Sequence, residues 1–147
     1  MTQTYRSVAD ALATLEAAPP LRRREVALFC DMACARQVRR VVEQTCHEWA
    51  LPDVIAADAM LVACELTENI VRHAGTDGWL RLELRDGMFT IAVADANPGP
   101  PRLRPPHERL DGGRGLVIVA ELSRAWGYEV QPQGGKVVWA TLAVPSW

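Results

Sequence analysis

Asp86-Gly87 stands between two runs of alternating apolar and polar residues, Trp79 to Arg85 and Met88 to Ala94. An Asp-Gly pair accepts the positive φ angles of a tight hairpin turn, and alternation at period two turns one face of each strand toward a core. The middle of the chain is therefore an antiparallel pair, and the remaining elements have to cover its apolar face. A second pair of this kind, Trp126 to Gln131 and Lys136 to Val144, ends the chain through a turn at Pro132 to Gly135. Upstream, Glu25 to Phe29 reads as one more short strand after Arg22-Arg23-Arg24, a cluster expected to be a solvated patch.

Three segments have helical spacing. Ala33 to Trp49 carries Val38, Val41, Val42, Thr45 and Trp49 on one side. Leu51-Pro52-Asp53 then breaks the chain and offers Asp53 as an N-cap. Val54 to His73 is the longest, with Ile55, Ala59, Leu61, Val62, Leu66, Ile70 and Val71 as its apolar face; Gly75 closes it and Asp77-Gly78 is read as a turn. Gly115 to Ser123 is a short helix with Leu116, Val117, Val119, Ala120 and Leu122 as apolar members. The order of elements predicts an α+β fold: a two-layer sandwich, its sheet mainly antiparallel, with the helices on one face. Residues 1–22 are expected to form a tail or a short amphipathic helix on Val8, Ala9, Leu12 and Leu15, and residues 23–147 one domain.

Bulk properties exclude some functions. A net charge of -2 gives no electrostatic reason for nucleic acid or a membrane surface as partner. No apolar run reaches the roughly 18 residues of a membrane span, and the first ten residues hold no signal core, so a cytoplasmic protein is expected. Cys30, Cys34, Cys46 and Cys64 fit reduced, buried thiols; a metal site on Cys30, Cys34, Cys46 and His47 would lack the usual C-x-x-C spacing. The chain has fifteen arginines and one lysine, Lys136.

Three groups of residues can carry chemistry. Glu65, Asn69 and His73 are spaced four apart and share one stripe of the long helix. A carboxamide oxygen there can ligate a hard cation, and a carboxylate one turn away can orient or deprotonate a hydroxyl. The plain alternative is a polar, solvent-facing stripe. Asp95 ends an otherwise apolar strand, where an acid can accept a hydrogen bond from an exocyclic amino group; alternatively it only starts the turn Asp95-Ala96-Asn97-Pro98-Gly99. Gly112-Gly113-Arg114-Gly115 opens the short helix, an arrangement that suits an anion. Between them, 95–113 is aperiodic, holds five prolines and is long for a simple connection. Gly134-Gly135-Lys136 is not followed by Ser or Thr, so it is no phosphate loop and reads as a hairpin turn.

In this order, Glu-x-x-x-Asn on a helix, Asp at a strand end, a loop, then Gly-x-Gly opening a helix, the chain resembles the GHKL (histidine-kinase-like) ATPase superfamily. Glu65 to Ala74, Gly112 to Leu116 with Val119, and Gly135 to Trp139 look like the anti-sigma-factor serine kinases of the switch-protein type. The resemblance covers about residues 25–144 and implies a Bergerat-type ATP-binding fold.

It also implies roles. Asn69 would ligate Mg²⁺ on the phosphates, and Glu65 would be the general base for a serine hydroxyl of a protein substrate. Asp95 would hold the adenine amino group. Asn97 and Gly99 would lie beside the base, and Gly113, Arg114, Gly115 and Leu116 at the phosphates, with 96–112 as a lid. Two positions depart from the pattern: Asn97 stands where a glycine is usual, and Val137 where a hydroxyl residue is frequent. The function so implied is an ATP-binding anti-sigma factor with serine/threonine kinase activity toward an anti-sigma-factor antagonist. Its partners would be that antagonist and a sigma factor, with no direct contact to nucleic acid and a homodimer as the expected assembly. The alternative is a non-catalytic switch of the same fold, in which ATP or ADP selects the protein partner.

Overall fold

The computed structural model describes residues 22–29, 34–74, 77–95, 116–132 and 135–145, with the backbone alone at 69–74 and 116. Five strands, β1 (Arg22–Leu28), β2 (Gly78–Arg85), β3 (Met88–Asp95), β4 (Ala125–Val130) and β5 (Lys136–Ala143), form one sheet in the order β1-β2-β3-β5-β4. Every pairing is antiparallel. Three helices, α1 (Cys34–Glu48), α2 (Asp53–Ala74) and α3 (Leu116–Leu122), complete the described residues. This is the expected α+β layout.

The hairpin turn is as its sequence requires. Asp86 and Gly87 sit at φ of 50° and 73°, and Arg85 pairs with Met88 across the turn. Both central residues have positive φ, as in a type I′ turn, whose twist matches that of the strands. Leu80, Leu82, Phe89, Ile91, Val93, Val138, Ala140 and Leu142 then alternate onto the helix side of the sheet. There they meet Val38 and Val42 of α1, Ile55, Ala59, Val62 and Leu66 of α2, and Val119 of α3 in one buried cluster. Each such aliphatic side chain contributes about 1.5–3 kcal/mol by leaving water. Trp49 closes one edge of this core, edge-on to Phe89 with ring centroids 6.1 Å apart.

The helix boundaries differ from the sequence reading in ways the backbone explains. α1 stops because Ala50 turns left-handed at φ 54°. The Leu51 and Ala50 N–H groups then donate back to the carbonyls of Cys46 and His47, at 2.9 and 3.1 Å, which is a Schellman cap built on alanine in place of glycine. At the start of α2 the Ala56 N–H donates to the Pro52 carbonyl at 3.0 Å. Pro52 is therefore the cap, and Asp53 is the first helical residue, where its charge faces the positive end of the helix dipole. Leu61 does not belong to the apolar face: it is half exposed, because it lies about 200° around the helix from Ala59. Ala120 is likewise exposed on α3. Gly75 and the proposed N-terminal helix lie outside the described residues.

The sheet's second face is not a solvated one. Ala92, Ala94, Ala125, Val137 and Trp139 are buried there in a cluster of their own, with Trp79 against them. Thr90 and Thr141 bring their hydroxyls to 3.3 Å across β3 and β5. Glu83, an outward-facing polar residue by alternation, is buried and takes an ion pair from Arg23 Nε at 2.8 Å. The arginine cluster is therefore part of β1, which begins before Glu25. Arg24 donates to Thr45 Oγ1 at 2.8 Å, pairs with Glu48, and lies over the Trp49 ring. Only Arg22 and Arg23 keep substantial exposure, as a solvated cluster would. Among the described residues no helix is long and apolar enough to cross a membrane.

Candidate functional site

Asp95 is the last residue of β3, one of the strands flanked on both sides. Its parity is that of Ile91 and Val93, so its side chain leaves the sheet on the helix side. Its carboxylate is fully buried. The turn-starting alternative for this residue is therefore insufficient: a turn aspartate would keep its carboxylate in water, and this one is held in the protein.

Its partner is a residue that sequence reasoning passed over. Lys136, expected to open the closing strand but given no part in the site, is the first residue of β5, with its side chain 2% exposed. The register of β3 and β5 makes Asp95 and Lys136 direct cross-strand partners, and Lys136 Nζ donates to Asp95 Oδ2 at 2.7 Å. The available signal was a lone lysine opening a strand of the form Val-Val-Trp-Ala-Thr-Leu-Ala. A charge at the head of such a run has to be satisfied inside the fold.

The close approach of β2 shapes the same corner. Gly78 was read as part of a turn, but it is the first residue of β2 and lies against the end of β3. A Cβ placed on it would come within 1.7 Å of the Ala94 carbonyl oxygen and 3.2 Å of the Asp95 Cα. Glycine is required here by contact rather than by turn geometry.

α2 lies on the same side of the sheet as Asp95. It packs on β3, β5, α1 and α3, and Glu65 is half buried on it. The Glu65 and Asn69 positions fall in continuous helix, one turn apart, and so belong to one stripe of it. From Ala74 the chain reaches Gly78 in four steps, at most about 14 Å. The C-terminal turns of α2, with Asn69 roughly 7.5 Å from the helix end, are thus tied to the end of the sheet where Asp95 sits. α3, which follows the glycine-rich segment, packs against α2 and β4.

The structure accordingly brings Gly78 and Asp95 together at one end of the sheet, to which the C-terminal end of α2 is linked by a short connection. Asn97, Gly99, Gly113, Arg114 and Gly115 lie outside the described residues, and for Asn69 and Leu116 only the backbone is described. A groove of about 710 Å³ between α1 and α2 is lined by Glu43, His47, Asp53 and Met60, among others. It adjoins the first turns of α2, the opposite end of that helix from Asn69, and is separate from the corner described above. Among the described residues no group of three or more His, Cys, Asp or Glu could hold a metal ion. A single carboxamide at 69, completed by phosphate oxygens and water, is a donor set that suits Mg²⁺, which keeps most of its water and takes few protein ligands.

The family model of the histidine kinase-like ATPase domain matches residues 30–142, a stretch that includes Glu65, Asn69, Asp95 and Lys136. The chain belongs to the histidine kinase-like ATPase domain family. That membership implies ATP as the ligand of this domain. The fold agrees with two solved structures. One, carrying the RsbU and RsbW domains of Rv1364c from Mycobacterium tuberculosis, is 19% identical with a TM-score of 0.66 over 85% of this chain. The present chain spans about a third (33%) of its length. The other, from the SiaB–SiaC complex of Pseudomonas aeruginosa, is 15% identical with a TM-score of 0.63, covering 92% of this chain and 98% of that one. No curated protein matches the chain.

Proposed function

We propose that this ATPase domain is a cytoplasmic protein kinase of the anti-sigma-factor type, which binds ATP with Mg²⁺ and phosphorylates a serine or threonine of a partner protein. The observation that carries the reading is the position of Asp95: a buried carboxylate at the end of β3, on the same side of the sheet as α2. An acceptor so placed can take the exocyclic amino group of adenine at the floor of the site. The Glu-x-x-x-Asn stripe of α2 would then serve the metal and the phosphates.

In this reading Asn69 gives its amide oxygen to Mg²⁺, which neutralises the phosphates and holds them in line. Phosphoryl transfer needs little else than positioning and charge neutralisation. Glu65, one turn earlier, orients the acceptor hydroxyl and takes its proton. Gly113, Arg114, Gly115 and Leu116 receive the phosphates at the start of α3, and Asn97 and Gly99 lie by the base. The partner is a protein: SiaB was solved with SiaC, and the other fold neighbour carries RsbU and RsbW domains in one structure. In this proposal the partner is an anti-sigma-factor antagonist, a sigma factor is the second binding target, and a homodimer is the assembly to test.

Calorimetric titration with ATP and Mg²⁺, followed by phosphotransfer to candidate antagonists, tests the proposal. Wild type is expected to bind and transfer, Asp95→Asn to bind more weakly, and Glu65→Ala to bind ATP while transferring nothing. A wild type that binds ATP yet phosphorylates no antagonist favours the non-catalytic switch, and one that ignores ATP at millimolar excess ends both readings.

A further inference from the structure

Lys136 is the only lysine in a chain with fifteen arginines, and it is buried at the floor of the proposed site. A composition so biased toward arginine leaves lysine where a guanidinium does not serve. The ammonium is compact and offers three rotatable donors, whereas the guanidinium is a wide planar fork. A buried ion pair is also a poor device for stability alone, since apolar residues of similar size often serve as well or better. Both points ask for a role beyond holding two strands together, which the β3–β5 ladder already does over eight residue pairs.

We propose that Lys136 reads the nucleotide base. This rests on the adenine role of Asp95 given above. Asp95 accepts from the exocyclic amino group, and Lys136, whose Nζ lies 2.7 Å from Oδ2, donates one of its other hydrogens to the adjacent ring nitrogen, N1 of adenine. The cross-strand couple thereby places an acceptor and a donor side by side, the complement of the donor and acceptor that adenine shows on that edge. Lys136 is in this sense a specificity-determining residue, and the Asp95 pair keeps it aimed.

The test pairs a change in the protein with a change in the ligand. ATP and 1-deaza-ATP, which lacks the N1 lone pair, are titrated into wild type and Lys136→Met. Wild type should bind 1-deaza-ATP about tenfold more weakly than ATP, the loss expected for one charge-assisted hydrogen bond. K136M should bind ATP about tenfold more weakly and discriminate the two ligands by less than about twofold. A merely structural lysine would weaken both ligands alike and leave their ratio unchanged. Should K136M fail to fold because Asp95 is left as a lone buried charge, the double variant Asp95→Asn with Lys136→Met carries the same comparison. Because the chain has one lysine, ¹⁵N-lysine labelling gives a single side-chain ammonium resonance, expected to shift with ATP and much less with 1-deaza-ATP. The proposal is overturned if wild type binds the two ligands equally, or if discrimination persists without Lys136. A wild type that binds no adenine nucleotide removes the nucleotide reading itself, a distinct result that removes this inference with it.

Discussion

Gly78→Ala is the substitution that most directly probes how the corner of the sheet is built. The added Cβ would stand 1.7 Å from the Ala94 carbonyl oxygen, where 3.0 Å is the shortest contact such atoms keep, so β2 and β3 must separate locally by at least 1.3 Å (3.0 − 1.7). The obstacle is backbone, so no side-chain rotation relieves it. Adjacent strands lie about 4.8 Å apart, with hydrogen bonds near 2.9 Å that do not survive a displacement of that size. At stake are the last β2–β3 pair, Trp79 with Ala94, and the end of the β1–β2 ladder, Leu28 with Gly78. Two or three lost backbone bonds at about 1 kcal/mol each give a destabilisation of roughly 2–3 kcal/mol.

For a domain of this size that corresponds to a fall in Tm of about 4–12 °C. Gly87→Ala is the control. Its φ of 73° is unfavourable for alanine, but the space is open, with nothing nearer than 3.7 Å, so the cost is only about 1 kcal/mol. Thermal and urea melts followed by circular dichroism should rank wild type above G87A and G87A above G78A. The G78A variant should also lose ATP affinity, because the displaced segment includes Asp95. A G78A melt within about 2 °C of wild type would refute the close-approach argument.

Two further outcomes follow from the packing. Ala50 caps α1 at φ 54°, so Ala50→Gly should stabilise the protein by about 0.5–1 kcal/mol, visible as a Tm higher by roughly 1–4 °C; an unchanged or lower melt contradicts the cap. Burial raises the Cys46 thiol from its ordinary 9.0 to about 11. The neutral thiol is the folded form's preference, so its contribution is whole below pH 9 and is lost as pH climbs through 11, up to about 3 kcal/mol. Urea midpoints between pH 8 and 11 should therefore fall more steeply for wild type than for Cys46→Val, and parallel curves would show that the thiol does not titrate as described.

Most of the fold was legible because its signals are local. Asp86-Gly87 states its own turn, and the periods of α1 and α2 state which residues face inward. What was not legible depends on contacts between distant strands. Gly78 looks like a turn residue until Ala94 is known to pass beside it. Glu83 looks solvent-facing until the second face of the sheet is seen to be packed and Arg23 to be its partner. Leu61 shows the limit of apolar counting, since a leucine two positions from a buried alanine points away from it. The place of Asp95 at the end of an apolar strand was legible. Lys136 was not, because only the β3–β5 register brings it opposite Asp95, and its neighbours Gly134 and Gly135 offered a sufficient turn reading.

Asp95 and Lys136 are 41 positions apart along the chain, and the ladder between their strands alone sets the gap between them. Two residues joined in this way keep their spacing for as long as β3 and β5 stay in register, whatever changes elsewhere in the chain. Variation or grafting outside those two strands can therefore alter other properties of the domain while the acid and the amine stay where the strands put them.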